Sequence, residues 1–439
     1  MDLVEKGSSY YLLAVRLNNY SALGASYGGD LARAALQQVR RRLERHLGNT
    51  LITSVDDDKI ILIAHNRLLE SYAPKELIEI LCTIVSTEPF RFEDHAVLLD
   101  ICAAYRPLDV ETSPQCFEAL VESVTAELAS AMARGFDGRI LMSAKEEGRY
   151  RADMKRCVTL LEQIRGRTAF YVWRPVVDPR DQGRILYYDG RLRHANKSGQ
   201  QLECDAALTA FERLGLSHII DLQLVSDVLD ELRADPLARL SIPIASASLD
   251  AHLLGPQAGW NEIFARLQRE PALGPRLILE IADKGDLLSV ESRGVLGLLR
   301  TFGVRIAVGR FGGGSASLDQ LAGIAPEIIR IDSGFLRTAH QSERSRARIG
   351  PLLNLARTIA PCVVLDGVET SWHLMAALEE AADWVAGSFV GGTSIGRDWV
   401  NLDYGDAVTG LGSFHELFGE HPDAAAGSQL TAHYAGSHR

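Results

Sequence analysis

The sequence predicts two domains in series, an α+β unit followed by an α/β barrel. Three observations lead there. The 439 residues exceed one ordinary domain and suit two. Hydrophobic residues make up 46% and charged ones 23%, enough for two cores without disorder. From residue 169 the pattern becomes repeated short apolar runs with amphipathic segments between most of them. Eight such runs over about 230 residues are the signature of a TIM-type barrel.

Residues 10–140 support the first domain. "YYLLAVRL" (10–17) reads as a buried strand, and "GGDLARAALQQVRRRLERHL" (28–47) as a helix with Leu31, Ala35, Leu36, Val39 and Leu43 on one face. "LITSVDDDKIILIAH" (51–65) reads as two strands joined at a three-aspartate turn. A helix over 74–86, a strand over 95–106 and a helix over 114–133 complete a mostly antiparallel sheet covered by helices. The charged stretch 143–168 predicts a connecting helix, since no Gly/Ser-rich spacer separates the domains.

Barrel strands are expected at "AFYVWRPVV" (169–177), "RILYYDGRL" (184–192), "LSIPIAS" (240–246), "RLILEIA" (276–282), "VRIAVGRF" (304–311), "EIIRID" (327–332), "CVVLDGV" (362–368) and "DWVAGSF" (383–389). Each ends in a polar or glycine-rich turn, where such barrels place their chemistry. The organisation expected is therefore 1–142 for the first domain, 143–168 for the connecting helix, 169–401 for the barrel and 402–439 for a C-terminal tail.

The net charge of −11 is spread along the chain, which argues against a DNA or RNA surface. No apolar run approaches the ~18–20 residues that span a bilayer, so membrane insertion is not expected. The acidic start and early Arg16 do not read as a signal peptide. The six cysteines include no CxxC pair and read as reduced thiols, so a cytoplasmic location is expected. Gly312–Gly314 are not followed by Gly-Lys-Ser/Thr and do not form a Walker A loop, while "HELFGEH" (415–421) is not HExxH.

The order of the strand-end stretches resembles the tandem GGDEF–EAL proteins of bacterial cyclic di-GMP signalling. It is carried by "YVWRPVVDPRDQGRILYYDGRLR", "LILEIADKGDLL", "LLRTFGVRIAVGRFGGGSASL", "IIRIDSGFL" and "VVLDGVETSWHL". In active members these correspond to QPI…EALLR, LEITE, LDDFGTGYSSL, KIDRSF and AEGVET. The resemblance implies a barrel whose carboxylates and one asparagine hold two divalent cations that activate water against a phosphodiester.

Judged by that pattern, several positions depart. Asp189 stands for the signature glutamate, and Arg193 matches the arginine that grips a phosphate. Pro243 falls at the metal-binding asparagine and offers no side-chain oxygen. Glu280 is retained, and Asp283 stands for the second glutamate of LEITE. Gly309 and Arg310 occupy the positions of the paired aspartates. Arg330 replaces the catalytic lysine, Asp332 and Glu369 are retained, Asp366 stands for the first glutamate of AEGVET, and Ala386 replaces a glutamine. In the first domain Asp56 and Asp57 replace glycines, Asp58 is kept, Lys59 replaces a glutamate and Arg16 replaces a metal aspartate; cyclase activity is not expected.

Two readings of Arg310 stay open. A guanidinium there repels a metal and attracts Glu280 and Asp189. Alternatively, Arg310, Arg193 and Arg330 form a metal-free cradle for two phosphates. The implied function is a non-catalytic regulator, either a cyclic di-GMP receptor with Arg193, Asp189, Glu280, Arg310, Arg330, Asp332, Asp366 and Glu369 around the ligand, or a module acting through an unnamed partner protein. A homodimer is compatible with both. No cofactor is required. The enzyme alternative is a weak phosphodiesterase using Mg²⁺ or Mn²⁺ on Asp189, Glu280 and Asp366.

Overall fold

The computed structural model describes residues 10–397 apart from 48–49, 57, 66–80, 83–84, 87, 109–111, 133–141, 197, 250–259, 283–289 and 316. Asp57, Asp283, most of the expected helix at 74–86, the tail and "HELFGEH" lie outside the described residues. Among the described residues, those up to Arg167 together with Cys204–Ile220 form one compact unit. Thr168–Glu203 and the residues from Asp221 onward form the other.

The first unit is built on a four-stranded sheet of β1 (Tyr10–Leu17), β2 (Thr50–Val55), β3 (Lys59–His65) and β6 (Ile101–Leu108), in the order β2-β3-β1-β6 with every pairing antiparallel. The expected strand at 95–106 is divided. His95–Val97 is β5, paired in a small hairpin with β4 (Phe90–Phe92), and only the part from Ile101 joins the sheet. Helix Pro114–Met132 sets Val124 and Leu128 on the face that carries Leu12, Ala14, Ile61 and Ala104. Period two along β1 and period 3.6 along the helix bring these apolar positions together.

Helix Ala144–Arg165 begins where the sequence places the connecting segment. Ser143 accepts from the Glu146 backbone N–H, and the Glu146 carboxylate accepts from the Ser143 N–H at 2.8 Å, a capping box. The helix buries Met154, Cys157, Val158, Leu160 and Leu161. It also buries Asp153, whose carboxylate takes a fork of hydrogen bonds from Arg213 at 2.6 and 2.8 Å.

In the second unit eight strands close on themselves: β7 (Ala169–Val177), β8 (Ile185–Ala195), β10 (Leu240–Ile244), β11 (Leu277–Ala282), β12 (Arg305–Phe311), β13 (Ile328–Ile331), β14 (Cys362–Asp366) and β15 (Trp384–Ala386). The ring closes where Ser241 of β10 pairs with Asp189 of β8. A short β9 (Gln201–Glu203) hangs on β8 outside the ring. All eight expected segments are strands. One departure from a uniform parallel barrel is β7, which runs antiparallel to both β8 and β15.

Period two sorts the strand residues. Leu240, Ile242, Leu279, Ile306, Ile329, Val363 and Val385 face the outer helices. Ile278, Ala307, Ile328, Cys362, Val364, Trp384 and Ala386 fill the interior with Val176 and Tyr187. Continuing along the inward parity of each strand gives Asp189, Glu280, Gly309, Arg330 and Asp366, so the apolar floor carries a charged layer above it. No helix among the described residues is long and apolar enough to cross a membrane.

Candidate functional site

The charged layer converges on Arg330. Its strand neighbours Ile329 and Ile331 pack outward, which fixes the Arg330 side chain toward the barrel interior, where it is 1% exposed. One Nη lies 3.0 Å from Asp189 and 3.0 Å from Glu280, and the other lies 2.7 Å from Asp366. A guanidinium does not lose its proton at accessible pH, so the cation is permanent. Burial acts to lower the Arg330 pKa, but Asp189, Asp366 and Glu280 outweigh it and hold the group well above its ordinary value.

Two further arginines complete the cluster. Arg174, opposite Asp189 in the β7–β8 register, donates to Asp189 at 2.9 Å and to Asp366 at 3.1 Å. Arg191, two residues beyond Asp189 on the same face of β8, donates to Asp189 at 2.9 Å. Three guanidinium groups thus meet three carboxylates. The sequence reasoning passed over Arg174 and Arg191, although the strand period already places Asp189, Arg191 and Arg193 on one face.

The carboxylates differ in environment. Burial alone would push the Asp189 carboxyl up, but Arg191, Arg330 and Arg174 hold it well below the usual range. Glu280 is raised, first by burial and then by repulsion from Asp189, with Arg330 opposing. Arg330 supplies the only ion pair or hydrogen bond of the Glu280 carboxylate among the described residues. Tyr187 Oη below the layer and Ser241 Oγ, in register with Asp189, are buried with no hydrogen-bond partner among the described residues.

Arg310 stands elsewhere. The β12–β13 register shifts between Val308 and Phe311, and Arg310 takes a left-handed backbone with φ of 61°. That bulge turns its side chain outward, 63% exposed and 3.4 Å from Asp332. The expected attraction of Glu280 and Asp189 to Arg310 is therefore corrected: Arg330 holds both. A cradle of Arg310, Arg193 and Arg330 is not assembled either. Arg193 is 3.4 Å from Glu203 on β9, and Asp332 caps helix Ser333–Thr338 by accepting from Gly334 N–H at 2.8 Å. Glu369 is exposed in the turn after β14, its backbone N–H donating to His373 Nδ1 at 3.1 Å. Gly312–Gly314 form an exposed turn.

A divalent cation does not fit these residues. Each of the three expected carboxylate ligands already contacts a fixed cation, Gly309 and Pro243 supply no side-chain oxygen, and no group of three or more His, Cys, Asp or Glu among the described residues is placed to hold a metal. A divalent ion about 4 Å from the guanidinium would be repelled by about 8 kcal/mol at an effective dielectric of about 20. The first unit repeats the pattern on a smaller scale. Arg16 at the end of β1 pairs with Asp58 at 2.6 Å, and Lys59 pairs with Asp56 at 3.2 Å.

Residues 158–392, more than half of the chain and the whole barrel with its charged layer, match the EAL domain family. The chain belongs to the EAL domain family. It is 25% identical over 211 residues to the cyclic di-GMP phosphodiesterase PdeF of Escherichia coli (strain K12), covering 47% of this chain and 28% of PdeF. It is 21% identical over 371 residues to the bifunctional diguanylate cyclase/cyclic di-GMP phosphodiesterase MucR of Pseudomonas aeruginosa, covering 82% of this chain and 52% of MucR. The chain thus spans about half or less of the length of these curated relatives. Among solved structures, Vibrio cholerae LapD S helix-GGDEF-EAL aligns over 87% of this chain and 88% of its own, with a TM-score of 0.47 at 16% identity.

Proposed function

We propose that this EAL-family chain is a non-catalytic, metal-free regulator in cyclic di-GMP signalling, with a degenerate GGDEF-like first domain and a barrel that takes the dinucleotide as a receptor. The observation carrying this reading is Arg330, whose guanidinium engages all three carboxylates that remain at the expected metal-ligand positions. The family membership supports the ligand class, and PdeF and MucR are named for activity on cyclic di-GMP. At the rim, Arg191, Arg174 and Arg193 have side chains 37%, 19% and 24% exposed. Planar donor forks at that depth suit phosphate oxygens without a metal. The Arg16–Asp58 pair supports the loss of cyclase chemistry in the first domain.

The experiment is calorimetric titration of the purified chain with cyclic di-GMP, without and then with Mg²⁺, with GTP and linear pGpG as controls. Saturable binding that is independent of metal and lost in Arg193→Ala is the expected result, with no pGpG formed in either condition. Formation of pGpG on addition of Mg²⁺ or Mn²⁺ would overturn the non-catalytic reading.

A second reading, an interaction module that binds no nucleotide, is favoured by one observation. The guanidinium groups of Arg174 and Arg191 already have carboxylate partners, so a phosphate must compete for them. Absence of any heat or thermal shift with cyclic di-GMP would select that reading and direct the search to a partner protein.

A further inference from the structure

Gly309 and Arg330 are linked through Glu280. A Cβ built at Gly309 would lie 2.2 Å from Glu280 Oε1 and 2.9 Å from its Cδ, so the Glu280 side chain lies across the space that any side chain at 309 would fill. The same Glu280 carboxylate is held 3.0 Å from Arg330. A side chain at 309 therefore requires the Glu280 side chain to shift from its place beside the guanidinium. The charge count agrees: Arg174, Arg191 and Arg330 balance Asp189, Glu280 and Asp366, leaving no net negative charge to draw a cation inward.

We propose that Arg330 is a resident replacement for divalent metal in this barrel, with Gly309 as the positioning residue that leaves room for the Glu280 carboxylate Arg330 holds. The two positions act as one device that refuses metal. The inference rests on the metal-free part of the reading above and does not depend on nucleotide binding. Its physical basis is competition for the same place: the guanidinium lies among the three carboxylates where a hard cation would have to sit, and two cations there repel each other. Shortening Arg330 to lysine withdraws the fork while keeping the strand and its charge, and a carboxylate at 309 then gains a use as a fourth oxygen donor. In the native background Arg330 keeps the cation's place, so the same carboxylate meets no metal and displaces Glu280.

The test uses the full chain and Mn²⁺ alone. Binding is read from loss of the free-Mn²⁺ EPR signal, and stability from the melting temperature in Mn²⁺ and in EDTA. The native protein is expected to bind no Mn²⁺ and to melt at the same temperature in both. Gly309→Asp alone is expected to melt lower than native and to bind none. Arg330→Lys combined with Gly309→Asp is expected to bind Mn²⁺ stoichiometrically and to melt higher in Mn²⁺ than in EDTA. Arg330→Met is the second route to the same opening.

Stoichiometric Mn²⁺ binding by the native protein, abolished by Glu280→Gln, would overturn the proposal. So would folded Arg330→Lys/Gly309→Asp and Arg330→Met variants that take up none. Where a variant is unfolded in EDTA, Mn²⁺ is expected to restore the native near-UV circular dichroism, and failure to do so counts against the proposal. A native chain that binds neither nucleotide nor Mn²⁺ sinks the receptor reading while supporting this one.

Discussion

Replacing Arg330 by methionine keeps most of the side-chain volume and removes the buried charge, and the structure says where the loss falls. Asp189 keeps Arg174 and Arg191, each at 2.9 Å, and Asp366 keeps Arg174 at 3.1 Å. Glu280 keeps no polar partner among the described residues. Removing one partner of a buried ion pair costs about 3–5 kcal/mol, because the other charge is left uncompensated. Most of that cost is therefore assigned to Glu280, and Glu280→Gln in the same chain is expected to recover about 1–3 kcal/mol of it as a coupling energy. All five tryptophans lie at residue 173 or beyond, and the four among the described residues belong to the barrel unit, so tryptophan fluorescence during urea unfolding in EDTA follows the barrel. An Arg330→Met variant within about 1 kcal/mol of native, or strict additivity with Glu280→Gln, would show that Glu280 does not depend on Arg330 for its charge.

Four other outcomes are expected. Arg310→Gly should stabilise the barrel by roughly 0.5–1 kcal/mol, since relief of a left-handed backbone outweighs an exposed ion pair; a lower urea midpoint than native would show that the Asp332 contact matters more than the strain. The Asp189 carboxyl is held low in the folded state, so its stabilisation is complete above the unfolded value of about 3.9 and is lost as pH falls through the lower folded value. Glu280 has the opposite sign. Its raised folded value means that ionisation costs stability as pH rises above about 4.3, so Glu280→Gln should gain on native toward neutral pH when urea midpoints are compared across pH. Ser143→Ala should cost about 1 kcal/mol at the start of helix Ala144–Arg165, read as faster hydrogen exchange at the Glu146 amide.

The barrel was legible in the sequence because each strand is a short apolar run ended by a turn, and all eight runs are strands. The direction of β7 was not legible, since an apolar run carries no sign of which way its neighbours run. The carboxylates Asp189, Glu280 and Asp366 could be picked out one by one, yet the cation that joins them could not. Aligned motifs put Arg310 in the metal's place, but that argument fixes position along the chain and not the backbone angle. A bulge between Val308 and Phe311 turns Arg310 out, while Arg330 on the inward face of β13 has the reach to fill the gap. Arg174 and Arg191 were hidden for a simpler reason: a strand arginine reads as surface until its parity is compared with a carboxylate on the facing strand.

Exposure along the cluster bears on the choice between receptor and closed module. Arg330 is 1% exposed, Glu280 13%, Asp366 17%, Arg174 19% and Arg191 37%. The cation that joins all three carboxylates is thus at the bottom, and the guanidinium groups that reach only one or two of them are at the top. A phosphate arriving from solvent meets Arg191 first. Withdrawing Arg191 leaves Asp189 still compensated by Arg330 and Arg174, so the exchange does not strand a buried charge. Had the order been reversed, with the rim arginine as sole partner of a buried carboxylate, anion binding would have carried the full penalty of an unpaired charge. The layering therefore fits the proposed receptor better than the proposed closed module, and it locates the test at Arg191 and Arg193 rather than at Arg330.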